Sequence, residues 1–319
     1  MHALIPATTE ALPAALADTI EAATALLKAR HSETTRRVYA ADALRFRDWC
    51  AASGLCPLPA EPQAVALFVA AEIGRGLNPR TVGRRLAAIR HLHRESGLLD
   101  PTAAEVVRAV LAGARRTGSG APRQAAPATA SALERMLATC DDSLIGNRDR
   151  LLLALGFGGA FRRSELVALD VGDLEVLEHG LRVFVRRSKT DQEAHGQHVP
   201  VADGPRTRVK AALADWLVAS GITAGALFRS ARKGGALTDQ RLADRSVAEI
   251  IKRRAELAGL DPARFSGHSL RRGWITSAAE AGADVLRIMD VSRHRRAETV
   301  RIYIQRANEF VGHAGAEFA

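Results

Sequence analysis

The stretch ARRTGSGAPRQAAPATA, residues 114–130, decides how this chain is divided. It is rich in Gly, Pro, Ser and Ala and has no hydrophobic period, so it reads as a linker between folded parts. A helix start flanks it on each side. Thr102-Ala-Ala-Glu105 has the pattern in which a hydroxyl and a carboxylate satisfy the first free N–H groups of a helix, and Ser131-Ala-Leu-Glu134 repeats it. At 319 residues the chain is long enough for two cores. The expected organisation is a tail over 1–15, an all-helical unit over 16–116, the linker over 117–130 and a second unit over 131–319.

Outward from the linker, the first unit reads as helices only. In NPRTVGRRLAAIRHLHRESG (78–97), Asn78 caps, Pro79 fits the first turn and Gly97 terminates. Steps of 100° put Val82, Leu86, Ile89 and His93 on one face and Arg80, Arg84, His91 and Arg94 on the other. A solvated polar face is the ordinary reading. Ionic groups of one sign favour a face turned toward nucleic acid. His91 and His93 point to different faces, against a metal pair. Leu16, Ile20, Ala23 and Leu27 share one face of an earlier helix.

The second unit is helical with one exception, HGLRVFVRRSKTDQEAHGQHVPVAD (179–203). LRVFV and HVPV read as the strands of a hairpin, and LEVLEH (174–179) adds a third strand. Ser246-Val-Ala-Glu249 reads as another helix start, with an end near Gly259. The fold class is mainly α with a small β-sheet: an all-helical N-terminal domain and a mixed α/β C-terminal domain.

The formal charge is +10 and comes mostly from arginine, which suits bidentate recognition of phosphate. Cys50, Cys56 and Cys140 are odd in number and lack metal-type spacing, which fits a reducing cytoplasm. The N-terminus has no basic n-region, and acidic residues interrupt its apolar stretch, so a secretory signal is not expected. No apolar run reaches membrane-spanning length.

Four stretches hold the candidate chemistry. GGAFRRSELVALDVGDL places Arg162 and Glu165 one turn apart, and RRSKTD puts Lys189 near the end of a strand. GHSLRRGWITSAAEAG has His268 and Arg271 three apart at a helix start. SRHRRAETVRIYIQRA (292–307) sets His294 and Tyr303, one of only two tyrosines, among five arginines. Singly, each has an ordinary explanation: a surface ion pair, a solvated lysine, a helix-end histidine, a core tyrosine. Together they match attack on a phosphodiester, which needs charge neutralisation, an in-line nucleophile and a proton for the leaving oxygen. Arg162 and Arg271 would clamp the non-bridging oxygens, and Tyr303 would attack phosphorus. Lys189 would protonate the leaving 5′-oxygen, and His268 would take or share the phenol proton. His294 would hydrogen-bond the phosphate or nucleophile, and Glu165 would orient a histidine or arginine. No carboxylate cluster suited to magnesium is evident, so no metal and no cofactor is expected.

This ordered set resembles the tyrosine recombinase (phage integrase) family, of the two-domain, Xer- or Cre-like kind. Its order is an arginine followed by Ser-Glu-Leu, a hairpin lysine, His-x-x-Arg, a second His or Trp, and a tyrosine nucleophile. Here these are Arg162 before Ser164-Glu165-Leu166, Lys189, His268-x-x-Arg271, His294 and Tyr303. HSETTRRVYAADALRFRDWC (31–50) is similar to the family's helical core-binding, SAM-like domain, which adds Arg36 and Arg37 to the candidate DNA contacts. The resemblance implies a C-shaped clamp on double-stranded DNA carrying a specific recombination site. It implies a 3′-phosphotyrosyl intermediate and a homotetramer on synapsed DNA, with accessory proteins as a further class of partner. It implies a cytoplasmic, nucleoid-associated site of action. Where the family usually has glycine before the second histidine, this chain has Arg293, which puts the tight turn there in question. Arg163 and Arg272 stand beside the two clamp arginines, so motif register alone assigns the phosphate contacts. The first helix, or Ile304, Phe310, Val311 and Phe318 near the C-terminus, would dock on a neighbouring protomer. The competing readings are a type IB topoisomerase-like relaxing enzyme and a non-catalytic DNA-binding protein of the same fold. RNA binding lacks aromatic stacking platforms.

Overall fold

The computed structural model describes residues 16–117, 125–186 and 196–307. The chain forms two compact units, residues 1–123 and 124–319.

The first unit is helical: α1 (Ala17–Ala29), α2 (Glu33–Ala52), α3 (Pro62–Gly74), α4 (Pro79–Glu95) and α5 (Glu105–Thr117). In α4 the cap is as expected, with the Arg80 N–H donating to Asn78 Oδ1 at 2.9 Å. Val82, Leu86, Ile89 and His93 are all buried. His93 is a satisfied core histidine: Nε2 accepts from the Ala60 N–H and Nδ1 meets the Ile89 carbonyl, both at 2.9 Å. Arg85 is buried on the same side, which the apolar pattern did not suggest. Its guanidinium pairs with Glu72, which is fully buried on α3, and approaches Asp42 on α2. A charge buried there is tolerable only because it is paired. On α1, Ile20 and Ala23 are only half-buried, and Leu27 and the capping Leu16 are exposed at 43% and 41%.

The expected helix starts are displaced. Thr102 lies in a short 3-10 turn, Pro101–Ala103, where its N–H and hydroxyl both donate to Asp100 Oδ1; α5 begins only at Glu105. Asp100 followed by proline starts a turn of its own, which uses up the threonine. Ser131 lies inside α6 (Ala130–Ala138), whose first N–H donates to Ser277 Oγ at 2.8 Å. Ser246 lies inside α10 (Asp244–Leu257). In these two cases the helix extends upstream of the pattern.

The second unit is built around α7 (Leu144–Gly158). Leu151 to Leu155 are fully buried, so this apolar half of the helix is packed on every side. Against it pack α6, α8 (Arg163–Ala168), α9 (Val209–Ser220) and α11 (Ser269–Glu280); α12 (Val285–Ser292) and α13 (Ala297–Ala307) pack on α11, and α10 packs on α6 and α8. β1 (Leu174–Leu177), β2 (Gly180–Val185) and β3 (Gln197–Ala202) form the expected antiparallel sheet in that order. Leu181 faces Val201 and Val183 faces Val199, all buried. A second ribbon, β4 (Arg229–Ala231) with β5 (Leu237–Arg241), was not expected. Its signal was Gly234-Gly235, the latter at φ +85°, where glycine is favoured. A buried ion network, Arg148 and Arg254 on Asp149, ties α10 to α7.

Residues 125–129, read as linker, lie along α11. The Ala128 N–H donates to the Ser269 carbonyl at 2.9 Å, and a Cβ on Gly273 would meet the Ala128 carbonyl oxygen at 1.7 Å. Gly273→Ala forces backbone, not a pliable side chain, to move. It is expected to cost about 3 kcal/mol, the upper end of ordinary overpacking. Gly83→Ala in α4, where a Cβ meets nothing within 4 Å, is expected to gain about 0.5–1 kcal/mol. Urea midpoints of the two variants, moving in opposite directions, check this pair.

Candidate active site

The site forms where α7 turns into α8. Gly156 lets the helices approach, since a Cβ there would meet Leu270 of α11 at 2.9 Å and Leu166 of α8 at 3.0 Å. The turn that follows puts Ala160 at φ +46° and aims its carbonyl at Arg271, which donates to it at 2.8 Å. Arg162 caps α8 and is held twice by Glu165. Its N–H donates to Oε2 at 2.9 Å and its guanidinium to Oε1 at 2.5 Å. Glu165 is 3% exposed and Arg271 5% exposed. The outer guanidinium nitrogen of Arg271 also lies 3.3 Å from both ring nitrogens of His294. His294 Nδ1 is 2.7 Å from Ser292 Oγ.

Arg293 completes this cluster. It adopts the left-handed conformation, φ +57°, at the end of α12, so the turn survives without glycine. Its side chain is 6% exposed and donates to Glu165 Oε2 at 2.8 Å. It also donates to the carbonyls of Gly159 at 3.0 Å, Val291 at 2.7 Å and Ala160 at 3.3 Å. Its guanidinium lies 5.0 Å over the Phe161 ring. The only sequence signal for it was its departure from the family's glycine.

Three buried or half-buried guanidiniums thus face one carboxylate, and the electrostatics reflect it. Burial, then Arg162 and Arg293, push Arg271 down to about 9. A guanidinium under such pressure is relieved by an anion, and a phosphodiester is one. Burial works to raise the Glu165 carboxyl, but Arg293 and Arg162 outweigh it and hold it below the usual range. Burial and the three arginines push His294 down to about 4, so its imidazole is neutral at pH 7. A guanidinium only donates, so the ring accepts from Arg271.

Of the other expected residues, Tyr303 on α13 packs its ring against Ile275, Ala279, Ile288 and Val300, with the Arg272 guanidinium 5.7 Å over it. Its phenol lies close enough to Arg271 to favour the guanidinium's charge. His268 is exposed at the start of α11, its N–H donating to Ser266 Oγ. Lys189 and residues 308–319 lie outside the described residues. The neighbours of the two candidate clamp arginines have protein partners of their own. Arg163 turns away to Asp244 at 3.2 Å, and Arg272 donates to the Ala125 carbonyl.

The model of the phage integrase family matches residues 128–309. An integrase/recombinase XerD homolog of Selenomonas ruminantium is 36% identical over 294 residues, covering 90% of this chain and 86% of its own. Tyrosine recombinase XerC of Chromohalobacter salexigens is 31% identical over 287 residues, 87% of each chain. The chain belongs to the tyrosine recombinases of the phage integrase family. The Tn1549 transposon integrase, solved with transposon right end DNA, superposes on this recombinase with a TM-score of 0.63 at 13% identity. The match covers 90% of this chain and 96% of that one, a likeness of fold. The recombinase is a DNA strand-cleaving and rejoining enzyme.

The candidate DNA contacts of the first unit are less uniform than their sequence suggested. Arg80, Arg36 and Arg37 are exposed. Arg84 pairs with Asp42, and Arg94 lies 3.5 Å from Asp100. His91 stacks edge-on with His31 and near Tyr39, and approaches Glu95. Helix spacing sorted residues on one helix but could not see carboxylates arriving from others.

The lowered pKa of His294 is expected to make the recombinase's stability sensitive to acid. A histidine whose folded pKa lies below its unfolded value takes up its proton more readily when unfolded, so stability rises with pH between the two values. Stability should be fully present above about 6.5 and fall as pH drops toward 4. Glu165, also depressed, adds to the loss at the acid end. His294→Asn should flatten the profile between pH 6.5 and 4, read from Tm against pH. An unchanged slope would place the acid sensitivity elsewhere.

Proposed function

We propose that this recombinase binds a specific duplex DNA site and exchanges strands there through Tyr303, as a homotetramer on synapsed DNA in the cytoplasm. The observation that carries the reading is the anion-short cluster of Arg162, Arg271 and Arg293 around Glu165, with neutral His294 at its edge and Tyr303 beside Arg271. In the reaction, the Tyr303 oxygen bonds to phosphorus and the bond from phosphorus to the 5′-oxygen breaks. Arg162 and Arg271 hold the non-bridging oxygens, where charge grows in the transition state. His294, being neutral, directs a ring N–H to the phosphate. His268 takes the phenol proton, and Lys189, by its place in the motif order, protonates the 5′-oxygen. The partner strand's 5′-hydroxyl then reverses the step, so bond energy is kept and no cofactor is consumed. Arg80, Arg36 and Arg37 contribute phosphate contacts from the first unit.

The test is to incubate the protein with a library of nicked duplexes without magnesium, denature it, and sequence any DNA joined to protein. Adducts at 3′ ends sharing one sequence support the reading and give the site. DNA binding with no adduct favours a non-catalytic DNA-binding protein. On a supercoiled plasmid carrying that sequence twice, relaxed circles without exchanged segments favour the topoisomerase-like alternative.

A further inference from the structure

Arg293 does more than fill space. Its position demands a left-handed backbone, which glycine adopts at no steric cost and arginine does not. Its side chain nonetheless reaches across from α12 to the α7–α8 turn, taking two carbonyls there and the carboxylate that holds Arg162. Ala160 gives its one carbonyl to both Arg271 and Arg293. The next residue in the chain is His294. One planar fork therefore ties together the turn that presents Arg162, the carboxylate that orients it and the turn that presents His294. Lysine, a point charge without the fork, cannot make these contacts at once.

We propose that Arg293 is a positioning residue for strand cleavage: it locks Glu165 onto Arg162 and fixes the His294 turn against the Ala160 carbonyl that anchors Arg271. The inference rests on the reading of Arg162, Arg271 and His294 as the phosphate contacts. A purely conformational role makes the opposite forecast, because Arg293→Gly relieves the backbone and should leave cleavage intact or improved.

The experiment compares wild type, Arg293→Gly, Arg293→Lys, Glu165→Gln and the Arg293→Gly/Glu165→Gln double variant on the duplex that wild type selects from the nicked library. Adduct rate, DNA Kd and the His294 titration by NMR are measured, the last on free protein. Arg293→Gly should slow adduct formation by about 100-fold, the loss that a displacement of about 1 Å in a positioned group produces. Kd should stay within about twofold, since the side chain is buried and its guanidinium is engaged by protein groups. The double variant should be no slower than the worse single one, because the two residues act as a unit. Arg293→Lys should also cleave slowly while keeping His294 titrating near 4, whereas Arg293→Gly moves that titration upward. Wild-type cleavage in Arg293→Gly, or an unmoved His294 titration, overturns the proposal. Should Arg293→Gly fail to fold, Arg293→Lys decides, and its cleaving at the wild-type rate overturns it. Should wild type give no adduct, the reading of the site fails instead, and the free-protein titration still judges Arg293.

Discussion

Tyr303→Phe is expected to reduce covalent DNA attachment to an undetectable level while leaving DNA affinity within about twofold. The two parts of the forecast come from two parts of the side chain. The ring packs on the small cluster of Ile275, Ala279, Ile288 and Val300, and phenylalanine keeps that contact. The hydroxyl is all that is lost, and it is the proposed nucleophile. The chain's other tyrosine, Tyr39, sits in the first unit, its ring 5.8 Å from His31 and 5.3 Å from His91. The measurement is the denatured adduct on the selected nicked duplex, beside a binding curve at fixed salt. An adduct that persists in the phenylalanine variant removes Tyr303 from the mechanism. Loss of binding together with the adduct would show that the ring's packing, not its oxygen, had been disturbed.

Glu165→Ala is expected to be the most damaging single change to the second unit's stability. It strips a 3%-exposed carboxylate from three donors: the Arg162 N–H, the Arg162 guanidinium and the Arg293 guanidinium. Arg293, buried, and Arg162, half-buried, then lose their counter-charge. Breaking a buried pair from one side costs about 3–5 kcal/mol, a large share of the roughly 5–15 kcal/mol that holds a domain folded. Glu165→Gln keeps the shape and the acceptor for the Arg162 N–H, so it should cost visibly less. Urea unfolding of both variants settles the order. Equal midpoints for alanine and wild type would mean that the surrounding arginines find water instead, and that the cluster is less closed than its distances indicate.

How legible this was in the sequence depends on what kind of information each feature needs. The α4 cap, the central sheet and the grouping of Arg162, Glu165, Arg271 and His294 could be read because local pattern and motif order carry them. The helix starts at Thr102, Ser131 and Ser246 were displaced because a capping pattern says nothing of a competing Asp100-Pro101 turn or of Ser277 arriving from another helix. Arg85 was missed because an arginine on an apolar face looks like an interruption until Glu72 and Asp42 meet it. Arg293 was visible only as a misfit. Its partners lie some 130 residues back along the chain, beyond the reach of any periodicity.

The segment before α6 bears on where this protein can be cut. Ala126 and Ala128 pair with the backbone at Arg264 and Ser269, and Arg272 fastens to the Ala125 carbonyl. A truncation that begins at Ser131, the boundary suggested by composition, would peel this strip off the helix carrying Arg271 and leave Gly273 facing solvent. A catalytic fragment for crystallisation or NMR labelling therefore has to start upstream of Ala125.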